Sequence, residues 1–460
     1  MRSAIDRATH SLTHNPAAKA LLVTLLIATA ARIILYQPPA VVPDTHDYLV
    51  LAHCLRALRF AGYDGSRTPV YSLFLLLAGI NFHTVCVLQN VLGLAIVAML
   101  FAMVYFRTKS WPFALVAGIG YGLDLSPLPF EHFIVSETLC TFLLTLCMLV
   151  FQLMVLKERF GWCEHAVLGI LIAITGLTRP LYVCLAPGFL VMLAVMRPPV
   201  PVRRTDQIRQ LVSFAAPAGT LLLGWCLFNW LSIGYFGFTT LIGFNLTNHS
   251  GAFIELAPDK YASIRDPYLK AREEQIKQTG TYAMAIFRAA SEIDKTTGYN
   301  RVQLTRELTR MSLELFAAHP IRYTAGVLRA WVTFWQPPLY WRSSAFFGEI
   351  RTRPLFLALA AIEILTLALA NLVFLLSSAN LLWLFLVQKS QLGFEACVMA
   401  TVLTVSVVQA LLEFGDNSRY SVPTAPLVLY TVMVSLWHFQ RGDFTTWSRK
   451  ADRTIAANLA

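Results

Sequence analysis

Four short polar clusters hold the residues of this chain whose types could do chemistry. The first lies within 43–71 and contains Asp44, His46, Asp47 and Arg67. The second runs from Glu131-His132 to Ser136-Glu137-Thr138, and the third is Arg179-Pro180. The fourth is Glu413-Phe414-Gly415-Asp416-Asn417-Ser418-Arg419-Tyr420. An aspartate can take a proton from an attacking hydroxyl. Arginines can hold a phosphate as it leaves, because their planar fork matches its oxygens. Such an inventory suits transfer from an anionic, phosphate-bearing lipid. All four clusters border apolar runs, where carboxylates and arginines are costly unless paired or wet.

The elements that position them are membrane helices. The chain has 460 residues, 56% hydrophobic and 14% charged. Soluble domains run to roughly 25% charged, so too little polar surface is left to cover a soluble fold. The fold class is an all-α polytopic membrane protein. The formal net charge of +11 reports orientation and attraction to membrane lipids and calls for no nucleic acid. Eight cysteines (Cys54, Cys86, Cys140, Cys147, Cys163, Cys184, Cys226 and Cys397) show neither CxxC nor Cys/His spacing, so neither a disulfide framework nor a structural metal site is expected. The run 21–36 lacks a small-residue cleavage site and is followed by further spans, so it reads as the first transmembrane helix.

Apolar segments at 20–36, 84–106, 111–123, 135–156, 166–177, 182–196, 211–231, 355–376, 379–387, 394–412 and 423–437 predict about 10 to 12 transmembrane helices, some tilted or short. The aromatic segment 321–341, with Arg322 and Arg329 and followed by Arg342, either spans or lies in the interface. Basic residues set the orientation. Arg2, Arg7, Lys19, Arg107, Lys109, Lys157, Arg159, Arg197, Arg203, Arg204, Arg209, Arg441, Arg449, Lys450 and Arg453 belong in the cytoplasm by the positive-inside rule. Asp44, Glu137 and Arg179 then face outside. Glu413 to Tyr420 joins them if 321–341 spans; otherwise the parity of the last helices is open.

Three regions follow. Residues 1–231 form an N-terminal transmembrane module with outer loops 37–83, 124–137 and 178–181. Residues 232–320 form an extracytoplasmic helical subdomain lying on the membrane surface, and 321–460 a C-terminal transmembrane module. Leu304, Leu308, Met311 and Leu315 make one apolar stripe of a helix that ends at His319-Pro320. Asn245-Leu246-Thr247 and Asn248-His249-Ser250 match the glycosylation sequon by pattern alone.

Plainer explanations stand beside the chemical ones. Asp44 and Asp47 can cap a helix beginning near Tyr48, and Glu137 can serve its own helix electrostatically. Arg179 can snorkel, and Arg67 can pair with Asp64. Glu413, Asp416 and Arg419 can form an internal ion network. His46 and His132 suit polar loops; around a divalent ion, both could join Asp44 and Glu137. The aromatics of 331–341 suit an interfacial belt or a lipid-binding groove.

At these residues the chain resembles the GT-C membrane glycosyltransferases, in particular the bacterial branch related to protein O-mannosyltransferases and lipid A aminoarabinose transferase. The run Pro43-Asp44-Thr45-His46-Asp47-Tyr48, followed by Arg67-Thr68-Pro69-Val70-Tyr71, is similar to that family's first outer loop. Ser136-Glu137-Thr138-Leu139 is similar to its second, and Arg419-Tyr420 with Pro423 and Pro426 to its late Arg-Tyr motif. Many relatives carry Asp-Glu where this chain has Asp44-Thr45, and Asp47 becomes a rival base. The resemblance implies an inverting glycosyltransferase of the cell envelope. Its donor would be a polyprenyl-phosphate sugar and its acceptor a lipid, a glycan or a protein. Asp44 would be the catalytic base, assisted by Glu137. Arg67, Arg179 and Arg419 would contact phosphate or sugar, with His46, Tyr71, Asp416 and Tyr420 as further substrate-binding candidates. It places the protein in a bacterial inner membrane with its site on the periplasmic face. An O-antigen ligase or polymerase using a diphosphate-linked glycan has the same layout. A transporter would use mid-membrane charges, for which Glu363 and Glu395 are the candidates.

Overall fold

The structure, a computed structural model, describes residues 15–157, 161–195, 203–341, 353–388 and 393–442. Arg2, Arg7, Arg159, Arg197, Arg342, Arg449, Lys450 and Arg453 lie outside the described residues. Among those described, every extended regular element is a helix. α1 (Pro16–Ile34) precedes two short helices, α2 (Pro43–Ala57) and α3 (Pro69–Leu77). Then come α4 (Phe82–Thr108), α5 (Trp111–Leu123), α6 (Glu137–Leu156), α7 (Trp162–Thr178), α8 (Leu185–Val195) and α9 (Arg204–Ile233). α10 (Ile242–Ser250), α11 (Ala262–Thr279), α12 (Ala285–Thr297) and α13 (Arg301–Ala318) form the polar region. α14 (Pro320–Phe334), α15 (Arg353–Gln388), α16 (Phe394–Leu412) and α17 (Ala425–Gln440) complete the bundle.

Among the described residues, seven helices are long and apolar enough to cross a membrane, and three shorter apolar helices stand among them. The protein is an all-α, multi-pass membrane protein. Prolines at the first turn start α1, α2, α3 and α14, where a missing N–H costs nothing and a fixed φ suits the helix. The main core joins α1, α4, α5, α6, α7, α8, α16 and α17. A second core joins α10 to α13 through Phe244, Tyr268, Ile286, Leu304, Leu308, Met311 and Leu315. The expected stripe of α13 is therefore its buried face. Asn248 of the second sequon is also buried, in α10, so that pattern does not mark an accessible carboxamide.

Two expectations about the last helices change. The segments 355–376 and 379–387 are one helix, α15. Ser377 and Ser378, between them, do not break it: Ser378 Oγ donates to Phe374 O (2.8 Å) within the helix, and Ser377 Oγ meets Ser435 Oγ of α17 (2.8 Å). Hydroxyls bonded this way remove the reason for a turn.

The ambiguous segment 321–341 enters the bundle and comes back. At its start Tyr323 OH donates to Leu411 O, at the end of α16 (2.9 Å). Deeper, Trp331 Nε1 donates to Ser406 Oγ (3.1 Å), and Trp335 O accepts from Asn371 of α15 (2.7 Å). Tyr340 then returns to bond Asp416, and Trp341 bonds Leu125 O. The 15 residues of α14 reach about 22 Å at the α-helical rise, short of the roughly 30 Å hydrocarbon core. One crossing by α15 then leaves the end of α16, and with it Glu413, at the same end of the bundle as Asp44.

Glu395 ion-pairs with Arg107 at the opposite, basic end. Glu363 lies by Ser126, just beyond α5 (3.5 Å). Glu395 sits at the start of α16, and Glu363, inside α15, lies beside the end of α5.

Candidate functional site

The first outer loop is stitched to the second before either reaches the site. Ala40 N donates to His132 O (2.9 Å), and Ile134 N donates to Ala40 O (3.0 Å). Thr45 Oγ1 accepts from Val42 N (3.1 Å) and donates to Ile134 O (3.0 Å). Tyr48 OH meets Ser136 Oγ (2.9 Å). Asp44, in the first turn of α2, is thereby held against Glu137, the first residue of α6. Deeper, Gln89 of α4 donates to Phe133 O (3.0 Å) and Glu131 O (3.1 Å), and Arg32 of α1 clamps Glu131 (2.6 Å). Gly93 makes room for that clamp, because a Cβ there would lie 2.0 Å from Glu131 Oε1.

Each arginine is delivered by a different break between helices. Arg67 rides a loop whose Gly65 has φ +81° and lies so close to Ile233 that a Cβ would come within 2.5 Å. Glycine alone takes that backbone without strain. Thr239 Oγ1 donates to Ser66 O (2.8 Å), and Tyr63 OH bonds both Arg67 O (3.0 Å) and Asn229 Oδ1 (3.0 Å). Arg179 precedes Pro180, which disfavours helical backbone at the residue before it. Its φ −140°, ψ 118° ends α7 and turns the side chain aside. Arg419 stands in the 3-10 stretch Asn417–Thr424.

The three arginines converge. Arg67 Nη2 donates to Asp44 Oδ1 (2.9 Å), and Arg419 Nη2 donates to Asp44 Oδ2 (2.9 Å). Arg67 also pairs with Asp47 (3.2 Å). Arg179 Nη1 lies 2.9 Å from Glu137 Oε1, and Arg419 Nε donates to the same oxygen. Asp416 is 3.6 Å from Arg419. Aromatic faces back the cations: Tyr48 under Arg67 (4.8 Å) and Tyr420 under Arg179 (4.9 Å).

These groups border a cavity of about 810 Å³. Asp44, Arg67, Arg179, Asp416, Arg419 and Tyr420 all line it, between Phe130, Phe133, Phe238 and Phe287. Glu137 is 0% exposed and stands behind the arginines, its Oε2 without a donor among the described residues. Asp47 stands behind Arg67 and is not part of the wall. His46 is exposed and not at the cavity. Tyr71 is fully buried, its OH donating to Gln89 Oε1 (2.9 Å). Arg67 does not take Asp64, which faces Arg301 instead (3.8 Å).

Burial alone would raise the Asp44 carboxyl, but Arg67, Arg419 and Arg179 outweigh it and hold the group well below the usual carboxylate range. Asp47 goes the other way: burial exceeds the help of Arg67 and raises it. Glu413 is pushed up to about 7, again by burial, against hydrogen bonds from Tyr420 and Asn248. No group of three or more His, Cys, Asp or Glu is placed to hold a metal ion among the described residues, and Asp44 and Glu137 are already engaged by arginines.

Glu413 belongs to the fourth sequence cluster, whereas its partner Asn248 and the wall residue Gln409 are not singled out as site residues by the sequence signals. Gln409 and Asn248 lie inside helices that look like an ordinary apolar span and a sequon.

No family model matches the chain, and no curated protein matches it. Two solved structures are similar to it in outline. One is the archaeal oligosaccharyltransferase AglB from Archaeoglobus fulgidus in complex with an inhibitory peptide and a dolichol-phosphate, at 11% identity and TM-score 0.46, covering 94% of this chain and 52% of that one. The other is the Archaeoglobus fulgidus oligosaccharyltransferase tethered to an acceptor peptide, at 11% identity and TM-score 0.47, covering 98% and 54%. The chain spans about half the length of those proteins. At that level of likeness no residue's role passes from them to this chain.

Proposed function

We propose that this chain is a membrane glycosyltransferase of GT-C type. It moves a hexosyl or pentosyl group from a polyprenyl-phosphate donor to an acceptor hydroxyl of a lipid, glycan or protein, on the periplasmic face of a bacterial inner membrane. The observation that carries this reading is the meeting of Arg67, Arg179 and Arg419, from three distant parts of a membrane protein, around Asp44 in one cavity.

In this reading the acceptor oxygen bonds to the anomeric carbon as the carbon–oxygen bond to phosphate breaks. The bonding pair leaves with the phosphate, whose charge the guanidiniums stabilise. Attack opposite the phosphate inverts that carbon. The acceptor's proton passes to Asp44. A carboxylate held so acidic is a weak base, so it takes the proton late, once the attacking hydroxyl has become acidic. Glu137 positions Arg179 and Arg419 and touches no substrate.

Charge balance favours the monophosphate donor. Arg67, Arg179 and Arg419 face Asp44, Asp47, Glu137 and Asp416, so there is no positive surplus to meet a diphosphate. A phosphodiester with one negative charge is the easier guest. Reconstitution with a panel of polyprenyl-phosphate sugars tests the reading: loss of sugar from one donor is expected. Sugar lipid carried across the bilayer intact would contradict it in favour of transport.

A further inference from the structure

The cavity has a second polar wall that the reaction above does not use. Gln409 and Glu413 sit one turn apart at the end of α16, linked by Glu413 N donating to Gln409 O (2.9 Å), and both line the cavity. Gln409 is 1% exposed, yet neither Nε2 nor Oε1 has a partner among the described residues. Because both ends of the carboxamide are open, exchanging its N and O changes nothing. A buried amide left so costs stability unless something bonds it.

Glu413 is 3% exposed. It accepts from Asn248 Nδ2 (3.1 Å) and from Tyr420 OH (3.0 Å). No ion pair reaches it among the described residues, in contrast to Asp44 and Glu137. A carboxyl buried without a counter-charge favours its neutral form, which can donate as well as accept. This wall therefore offers an open amide and a carboxyl near neutrality, flanked by Asn248 of α10 and Met284, which also lines the cavity.

We propose that Gln409 and Glu413 form a subsite for a neutral, hydroxyl-rich group, which binds the acceptor glycan or polyol. The assignment to the acceptor rests on the transferase reading. With the donor phosphate on the arginines, Gln409 and Glu413 are polar cavity groups left open to the acceptor, and Asp44 lines the same cavity. Tyr420 joins the two walls, its ring under Arg179 and its hydroxyl on Glu413.

The test is binding, which needs no turnover. The full chain in lipid nanodiscs is titrated with neutral methyl glycosides (gluco, galacto, manno and xylo) and with a cationic methyl 2-amino-2-deoxyglucoside, followed by saturation-transfer NMR. At least one neutral glycoside should bind, in preference to the amine. Gln409→Leu should weaken it about tenfold, the loss of roughly one well-made hydrogen-bonded contact. The thermal midpoint should hold or rise, because leucine removes an orphaned amide. Glu413→Gln should bind within about twofold of wild type, since a carboxamide mimics a neutral carboxyl. Unchanged binding in Gln409→Leu, no binding of any neutral glycoside, or preference for the amine that Glu413→Gln abolishes would each overturn the proposal. Failure of the transferase reading looks different: farnesyl phosphate would then bind equally to wild type and Arg179→Gln.

Discussion

Arg419 Nη2 lies 2.9 Å from Asp44 Oδ2, across 375 positions of sequence. The same guanidinium holds Glu137 through Nε. One side chain from the last third of the protein thus ties the first outer loop to the mouth of α6. Asp44 is therefore placed by the whole bundle, and removing Arg419 loosens all three pieces.

Arg419→Gln should destabilise the protein by about 3 kcal/mol, because buried Glu137 loses a partner. Pairing it with Glu137→Gln should recover part of that. Thermal unfolding of the four proteins in detergent gives the cycle, with a coupling of about 1 kcal/mol or more expected between side chains in direct contact. Additive losses would contradict the geometry.

Arg179→Gln should lower turnover by about 10²- to 10³-fold, the size of one lost charge-stabilising donor, while the acceptor KM stays put. Arg179→Lys should restore little of it, since a point charge lacks the fork that reaches both Glu137 and a phosphate. Steady-state kinetics with each substrate varied in turn separates the two effects.

Two of the cavity carboxyls, Asp44 and Glu413, should respond to pH in opposite senses. Asp44 titrates below its ordinary 3.8, so its contribution to stability is present above that value and is lost as pH falls through the folded-state value. Glu413 is raised from 4.5 to about 7. The folded protein then holds that proton where the unfolded chain has released it, and stability falls as pH rises from about 4.5 to 7. Thermal midpoints across this window should therefore slope less in Glu413→Gln than in wild type. Equal slopes would mean that Glu413 is not perturbed.

Thr45→Val keeps shape but removes the hydroxyl that accepts from Val42 N and donates to Ile134 O. A cost of about 1–3 kcal/mol follows from the stranded buried groups. Transfer should fall further than the thermal midpoint implies, because Asp44 is the neighbouring residue. Activity measured well below the midpoint checks this.

Much of this site is legible in sequence because charge is scarce there. Asp44, Arg67, Arg179 and Arg419 stand out at the ends of apolar runs, and physical cost brings such groups together. Helical phase was harder to read. His46 is two residues from Asp44 and so lies about 200° round α2, off the cavity, whereas Asp47, three residues on, shares its face and Arg67. Tyr71 belongs to the same motif as Arg67 but packs beneath Tyr48 (4.8 Å). Gln409 was hidden by an apolar helix in which one amide barely alters the hydropathy. Ser377 and Ser378 interrupt the apolar run, but the bonds to Phe374 O and Ser435 Oγ keep 353–388 one helix. The return of 336–341 to the site end depends on Tyr340 and Asp416, a contact no local pattern announces.

The central claim is tested most directly by wild type and Asp44→Asn, each purified, shown to be folded, and reconstituted with polyprenyl-phosphate sugars and a native membrane extract as acceptor. Sugar loss from the lipid is followed by mass spectrometry. One donor should turn over with wild type, and Asp44→Asn should be slower by about 10²- to 10⁴-fold, the usual worth of a proton-transfer group. Equal turnover by the two proteins would remove Asp44 from the chemistry.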